Sequence, residues 1–331
     1  MSSALAAIEV RGLVKRYGKI VAVAGVDLTV EVGDVLGYLG PNGAGKTTSL
    51  RMMLGLIQPT AGTVRLFGRD PLASVRALDG VAGFVEAPAF YPYMSGRRNL
   101  ELLAAFDGAG ARTRIDSALS TVDLVGRAGD KVGGYSHGMR QRLGIAAALL
   151  REPKLLLLDE PATGLDPAGM RDMRRLIRRL ADDGMTVLLS SHLLGEVQEI
   201  CNRVAIIRNG RIVYQGTIAA LARGEGTIYH LATTDDGHAE QICAKQPGLV
   251  DVRQENGKVA FIAGQTAVDE LSRALVENGV LIHELAPQMV NLEDLFFSLT
   301  EGDGTGPLLA DAEALAAAPP AQTPGPVEAA R

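Results

Sequence analysis

From residue 5 to about residue 40 the apolar positions alternate with polar ones or fall in short blocks, AIEVRGLV, VDLTV and VLGYLG, set between Gly and Asp turns. Alternation of that kind predicts several β-strands. The spacing then lengthens to that of a helix over Lys46 to Ile57 (KTTSLRMMLGLI), and again over Asn99 to Phe106, Arg112 to Leu124 and Met139 to Leu150. A helix-rich block is therefore expected at about 88–150. Next come an unbroken apolar run, Leu155 to Leu158, a helix over 168–183, a strand over 185–190, a helix over 193–200, and strands around Val204 to Ile207 and Ile212 to Tyr214. Strands alternating with helices predict an α/β unit, here over residues 5–220.

Beyond Gly216 the pattern starts afresh. TIYHLAT reads as a strand, HAEQICAKQ as a helix, VDVRQENGKVAFI as a hairpin, VDELSRALVENG as a helix, VLIHEL as a strand and NLEDLFFSLT as a last helix. The order βαββαβ is that of the ferredoxin-like split βαβ motif, so residues 222–300 are expected to form a small accessory α+β domain. From Glu301 to Arg331 the chain turns to Ala, Gly and Pro, with too little apolar surface to offset the entropy of ordering. That segment is expected to be a disordered tail.

Composition narrows the class. A chain of 331 residues with 47% hydrophobic and 21% charged residues is that of a soluble globular protein, and its net charge of -5 sets up no field to attract nucleic acid. Cys201 and Cys243 are the only cysteines, spaced for neither a metal site nor a disulfide framework, which fits a reducing cytoplasm. The first residues lack the basic and apolar regions of a signal peptide. Runs such as IAAALL and LLLL fall far short of the roughly 20 apolar residues that span a bilayer, so no crossing is expected.

The chemistry starts at Gly40 to Thr47, GPNGAGKT, which follows the apolar YL and opens a helix. G-x-x-x-x-G-K-[ST] between a strand and a helix is the phosphate-binding P-loop. Backbone N–H groups over Gly40, Pro41, Asn42, Gly43, Ala44 and Gly45 can curl around phosphates, and the helix start adds partial positive charge. Lys46 reaches the β and γ phosphates, and Thr47, followed by Thr48, can coordinate Mg²⁺. LLLLDEP, Leu155 to Pro161, supplies what hydrolysis further needs: Asp159 for the metal shell and Glu160 for the attacking water. SSH, Ser190 to His192, ends a second apolar strand on the side of the sheet where α/β folds bind ligands. His192 there either donates to a γ-phosphate or simply opens a helix. Tyr17, in KRYGK, either stacks on adenine or occupies a surface turn.

A second candidate anion site lies in YSHGMRQR, Tyr135 to Arg142. Ser136 suits a helix N-cap and Gly138 permits close backbone approach, yet the P-loop already surrounds this chain's own nucleotide.

Taken in order, Tyr17, GPNGAGKT, YSHGMRQR, LLLLDEP, GLDP (Gly164 to Pro167) and His192 resemble the ATP-binding subunit of ABC transporters over residues 8 to about 216. The resemblance implies a P-loop NTPase of the ABC ATPase type with a helical subdomain, ATP and Mg²⁺ as ligands, and Lys46, Glu160 and His192 as catalytic groups. It implies adenine contact at Tyr17, a nucleotide site over Gly40 to Thr48, a signature motif at Ser136, His137, Gly138, Met139 and Arg140, metal contact at Thr47 and Asp159, and a D-loop at Asp166. It also implies a head-to-tail homodimer or paired ATPase subunit, in which the signature end of one chain meets the ATP of the other. A separate membrane permease would hold the subunit on the cytoplasmic face of the membrane. VEAPAFYP and YSHGMRQRLGIA resemble, more narrowly, the bacitracin and lantibiotic resistance exporters.

Two residues depart from the family pattern. His137 stands where LSGGQ has its first Gly, either as tolerated variation or as a tuned, pH-sensitive contact. Glu86 stands where most relatives carry Gln near the γ-phosphate and Mg²⁺. A carboxylate can serve the metal, but at 4 Å from a phosphate charge the repulsion is about 4 kcal/mol at an effective dielectric of about 20. Glu86 must therefore lean on the metal or turn away, for instance toward the membrane partner. The run RDMRRLIRR reads as a solvated basic face. The alternatives to a transport ATPase are a soluble regulatory ABC-type ATPase and an ATP-binding scaffold without turnover.

Overall fold

The computed structural model describes residues 6–108, 110–223, 227–255 and 257–287. In chain order the elements are β1 (Ile8–Tyr17), β2 (Ile20–Val30), β3 (Val35–Leu39), α1 (Lys46–Met53), β4 (Ala61–Leu66), β5 (Val81–Phe84), α2 (Gly96–Ala104), α3 (Ile115–Thr121) and α4 (His137–Leu149). There follow β6 (Leu155–Leu158), α5 (Pro167–Asp182), β7 (Thr186–Ser191), α6 (Leu194–Ile200), β8 (Arg203–Arg208), β9 (Arg211–Thr217) and α7 (Ile218–Arg223). The last group is β10 (Thr227–Thr233), α8 (Asp236–Lys245), β11 (Leu249–Glu255), β12 (Lys258–Ala263), α9 (Gln265–Glu277) and β13 (Ile282–Pro287).

A six-stranded sheet, order β5-β6-β7-β3-β8-β9, carries the candidate site. All its pairings are parallel except β8 with β9. Parallel strands are covered on both faces and therefore apolar throughout. The four leucines of β6 show how this works: Leu156 and Leu158 enter one core, with Leu143 and Ile145 of α4 and Met173 and Ile177 of α5. Leu155 and Leu157 enter the other, with Leu50 and Met53 of α1 and Ile8, Val10 and Leu28 of β1 and β2. Strands β2, β1 and β4 make a separate antiparallel sheet over that second core. The common strand direction brings the carboxyl ends of β3, β5, β6 and β7 to one edge.

Element boundaries follow local chemistry. The pattern through Ile57 overshoots α1, which stops at Met53 because Gly55 turns left-handed at φ 68° and Leu56 N–H closes on Arg51 O at 2.8 Å. Residues 112–124 form a 3₁₀ turn over Ala111–Arg114 and the shorter α3, with Asp123 left-handed at φ 56° beyond it. Strands β4 and β5 carry no sequence signal strong enough to be expected.

The arginine run does not form a solvated face. Arg174 pairs with Glu199 at 2.6 Å, Arg178 donates to the Glu199 carbonyl, and Arg179 donates to the Thr121 carbonyl and reaches Asp123 at 3.3 Å. Their guanidinium groups tie α5 to α6 on one side and to the end of α3 on the other. The cause is geometric: Met173, Leu176, Ile177 and Leu180 are buried, so arginines at 174, 178 and 179 flank the buried stripe.

Beyond residue 226, β10 to β13 form a four-stranded antiparallel sheet of order β11-β12-β10-β13 with its own core, in which Tyr229 stacks on Phe261 at 5.7 Å between ring centres. The expected helix at 291–300 and the tail at 301–331 lie outside the described residues.

Helix α6 packs on β3 through Gly37, where an added Cβ would sit 2.4 Å from Val197 Cγ1 and 3.2 Å from Cys201 Sγ. Overpacking of this kind costs about 1–3 kcal/mol. Gly37→Ala is expected to lower the Tm by a few degrees, measured by calorimetry; an unchanged Tm would show that α6 can shift from the sheet without penalty.

Candidate functional site

Parallel pairing sets Leu158 opposite Leu189, so the next residues of β6 and β7 meet. Ser190 Oγ donates to Asp159 Oδ1 at 2.6 Å and accepts from Glu160 N–H at 2.9 Å. One buried hydroxyl thus fixes both acidic residues. Glu160 has a left-handed backbone, φ 45°, which is uncommon for a residue with a side chain and turns its carboxylate off the strand axis. Thr163 N–H closes that turn on Glu160 O at 3.2 Å.

Three groups converge on the Glu160 carboxylate. Lys46 Nζ lies 3.2 Å from Oε1, while Thr163 Oγ1 donates to Oε2 at 2.8 Å and His192 Nδ1 lies 3.1 Å from the same oxygen. Burial alone raises the Glu160 pKa, but the Thr163 hydroxyl, the Lys46 ammonium and His192 together outweigh it and hold the carboxyl below its ordinary value. The base is therefore ionised at neutral pH.

Lys46 is buried, and besides Glu160 its Nζ donates to the carbonyls of Gly40 at 2.7 Å and Pro41 at 3.2 Å. Gly40 N–H donates to Ser191 O at 3.2 Å, and Ala44 O accepts from Gly210 N–H at 3.0 Å, which moors the loop to β7 and to the β8–β9 turn. Glycine is required at 45, where φ is 104° and a Cβ would lie 2.5 Å from Ala22 O. The β1–β2 hairpin therefore rests directly on the loop, and Tyr17, paired with Ile20 at its tip, is about half exposed, with Lys15 Nζ 5.2 Å above its ring. Asn42 and Gly43 are exposed and Thr47 and Thr48 half-buried.

At the second anion site Ser136 caps α4, its Oγ accepting from Met139 N–H at 3.2 Å. Gly138 faces Leu165, with room for only van der Waals contact. Asp166 caps α5, accepting from Gly169 N–H at 3.0 Å, and Pro167 follows it. A cavity of about 410 Å³ lies between these two helix starts, lined by Ser136, His137, Gly138, Gly164 and Asp166 among others. His137 turns toward Thr163, Nε2 lying 3.1 Å from its carbonyl oxygen. A carbonyl only accepts, so Nε2 carries hydrogen, as it does in both the neutral tautomer and the cation. Glu86 also has a left-handed backbone, φ 70°, and its exposed carboxylate pairs with Arg51 of α1.

The chain matches the ABC transporter family over residues 23–163. It is 36% identical to the bacitracin transport ATP-binding protein BcrA of Enterococcus faecalis over 299 residues, 90% of this chain and 97% of that one. The chain belongs to the ABC transporter ATP-binding proteins. Another relative, the daunorubicin resistance ATP-binding protein DrrA3 of Streptomyces coeruleorubidus, is 36% identical over 90% of this chain and 96% of its own. Among solved structures, the dimeric ATP-binding cassette MJ0796 bound to ADP and Pi aligns with a TM-score of 0.58 at 25% identity, covering 64% of this chain and 98% of that one. The family's ATPase domain binds ATP, and ATP hydrolysis is its expected activity.

The residues present fit a phosphate chain and a hard cation. A buried ammonium, a glycine loop at a helix start and the oxygen donors of Thr47 and Asp159 are the right types. Among the described residues no group of three His, Cys, Asp or Glu side chains forms a ready metal cluster. Mg²⁺ needs none, since it is usually held by one or two carboxylates and substrate phosphates.

Sequence reasoning missed Ser190, Thr163 and Arg51 as members of the site. The available signal was two serines ending an otherwise apolar strand, since a buried hydroxyl must find partners.

Because the folded pKa of Glu160 is lowered, its ionised contacts contribute stability above the unfolded carboxyl pKa, and this is lost as pH falls through the folded value. Glu160→Gln is expected to have a lower Tm than the unchanged protein at pH 7, with the gap narrowing as the pH is brought below about 4. A gap constant with pH would mean that the charge of Glu160 adds nothing to the fold.

Proposed function

We propose that this chain hydrolyses ATP as one half of a head-to-tail homodimer and thereby drives export through a separate permease. The observation that carries the proposal is the cluster in which Lys46, Thr163 and His192 all contact the Glu160 carboxylate, beside an Asp159 held by Ser190. In this reading the backbone of Gly40 to Gly45 cradles the phosphates, Lys46 pairs with the β and γ groups, Tyr17 stacks on adenine, and Thr47 with Asp159 holds the cation. Mg²⁺, when bound, neutralises phosphate charge as it redistributes in the transition state. Glu160 accepts the proton of the attacking water, and His192 donates to the γ-phosphate. Phosphates entering the loop compete with Glu160 for the Lys46 ammonium, which frees the carboxylate for its role as base. Glu86 acts beside the γ-phosphate only when Arg51 releases it.

The cavity between the starts of α4 and α5 supports the dimer, since two helix N-termini favour an anion there while the chain's own P-loop follows β3. Ser136, His137, Gly138, Met139 and Asp166 would then address the partner's nucleotide. The dimeric MJ0796 cassette is consistent with this arrangement. Export of an antibiotic, drug or peptide is supported by the bacitracin and daunorubicin relatives, which match over nearly their whole length. Among the described residues no helix is long and apolar enough to cross a membrane, so the pathway is assigned to a permease that holds the subunit at the membrane's inner face. We further assign residues 5–220 to the ATPase domain, with its helical subdomain at about 88–150, and 222–300 to an accessory domain. The strand order β13-β10-β12-β11 with βαββαβ connectivity supports a ferredoxin-like reading of the latter.

Glu160→Gln is expected to retain ATP binding while hydrolysis falls about 10²- to 10⁴-fold, and ATP is expected to shift the variant toward dimer in light scattering. Turnover near that of the unchanged protein would remove Glu160 as the base. Absence of hydrolysis by the unchanged protein together with its permease would favour the scaffold alternative.

A further inference from the structure

His137 is the one signature residue whose side chain leaves its own helix. Its ring packs on the peptide between Thr163 and Gly164: a Cβ at Gly164 would lie 3.7 Å from both His137 Cδ2 and Nε2. Gly164 is left-handed at φ 74°, and Nε2–H meets the Thr163 carbonyl at 3.1 Å. Thr163 is held at its other polar groups as well, its N–H on Glu160 O at 3.2 Å and its hydroxyl on Glu160 Oε2 at 2.8 Å. Gln141, one turn along α4, approaches the same His137 nitrogen at 3.5 Å.

We infer that His137 is a positioning residue for Glu160 of its own chain, acting through Thr163 to couple the start of α4 to the catalytic carboxylate. The inference rests on the proposed role of Glu160 as the base. The carbonyl contact fixes the plane of the 163–164 peptide, that plane aims the Thr163 hydroxyl, and the hydroxyl fixes the oxygen of Glu160 that His192 also contacts. A ligand that displaces the start of α4 therefore displaces the base, with no further element between them. A glycine at 137, the residue usual in the family, has no side chain with which to make this connection.

The test is steady-state ATP hydrolysis by the full-length protein, with KM for MgATP and Tm measured alongside. His137→Leu keeps bulk and removes the donor; kcat is expected to fall about 5-fold with KM changed by less than about twofold, since a positioning contact is felt in turnover rather than in nucleotide binding. His137→Gln restores an N–H donor at similar reach and is expected to restore kcat to within about twofold. Thr163→Val, which removes the hydroxyl, is expected to lower kcat by itself and to abolish any further effect of His137→Leu, because residues on one path are not additive. A purely structural role would instead lower Tm and combine independently with Thr163→Val. His137→Gly serves as a second variant should leucine disturb folding. Equal kcat in His137→Leu and the unchanged protein, or independent effects in the double variant, would overturn the inference while leaving Glu160 as the base. Wild-type turnover in Glu160→Gln would overturn both.

Discussion

Strands buried on both faces can carry polar side chains only where they stop, and the arrangement of the site follows from that constraint. None of Leu155 to Leu158 in β6 is exposed, and β7 is buried from Thr186 to Ser191. The functional residues are therefore pushed to the carboxyl ends, and parallel register then sets them side by side. Ser190 Oγ donates in one direction and accepts in the other. Satisfying a buried hydroxyl and orienting two acidic residues are here a single physical event.

The next layer is electrostatic. Lys46 is buried, and removing an ammonium from water costs several kcal/mol unless it is well partnered. Its partners are two carbonyls of its own loop and the carboxylate of Glu160, a residue more than a hundred positions away in sequence. The loop is thus held in shape by the charge that would otherwise destabilise it. Glu160 shares the arrangement: its left-handed backbone carries about 1–3 kcal/mol of strain, offset by the Ser190 and Thr163 contacts at its N–H and C=O. Removing any one partner would leave another group unpaired.

Much of this was legible before the structure. GPNGAGKT, LLLLDEP and SSH each follow an apolar run, and their positions at one edge of a parallel sheet require only the α/β alternation to be read correctly. Connections through side chains were not legible. Nothing local in Thr163 says that its hydroxyl will reach Glu160, because that depends on the turn Glu160 makes, and φ at a non-glycine residue leaves no mark in the sequence. Glu86 shows the same gap: charge arithmetic required it either to lean on a cation or to turn away, yet the cation it found is Arg51, on the helix that opens with Lys46. The arginines of α5 were misread because periodicity reports which positions share a face but not what lies against that face. Residues 174, 178 and 179 border a buried stripe, where long side chains reach over to neighbouring elements.

The histidine at 137 can replace a glycine because the two neighbouring residues work through different atoms. An α-helix start offers unpaired N–H groups, and these are what an anion would use. Ser136 takes the N–H of Met139 with its side chain, whereas the His137 ring contacts a carbonyl on another loop and consumes none of the N–H groups of α4. Phosphate recognition by backbone and coupling by side chain can therefore coexist at one turn. The same reasoning limits what can stand there: the side chain must leave the helix start along the direction of Gly164, whose lack of a Cβ makes room for the ring. His137 and Gly164 are thus a matched pair, and a bulkier residue at 164 would remove the space that the histidine occupies.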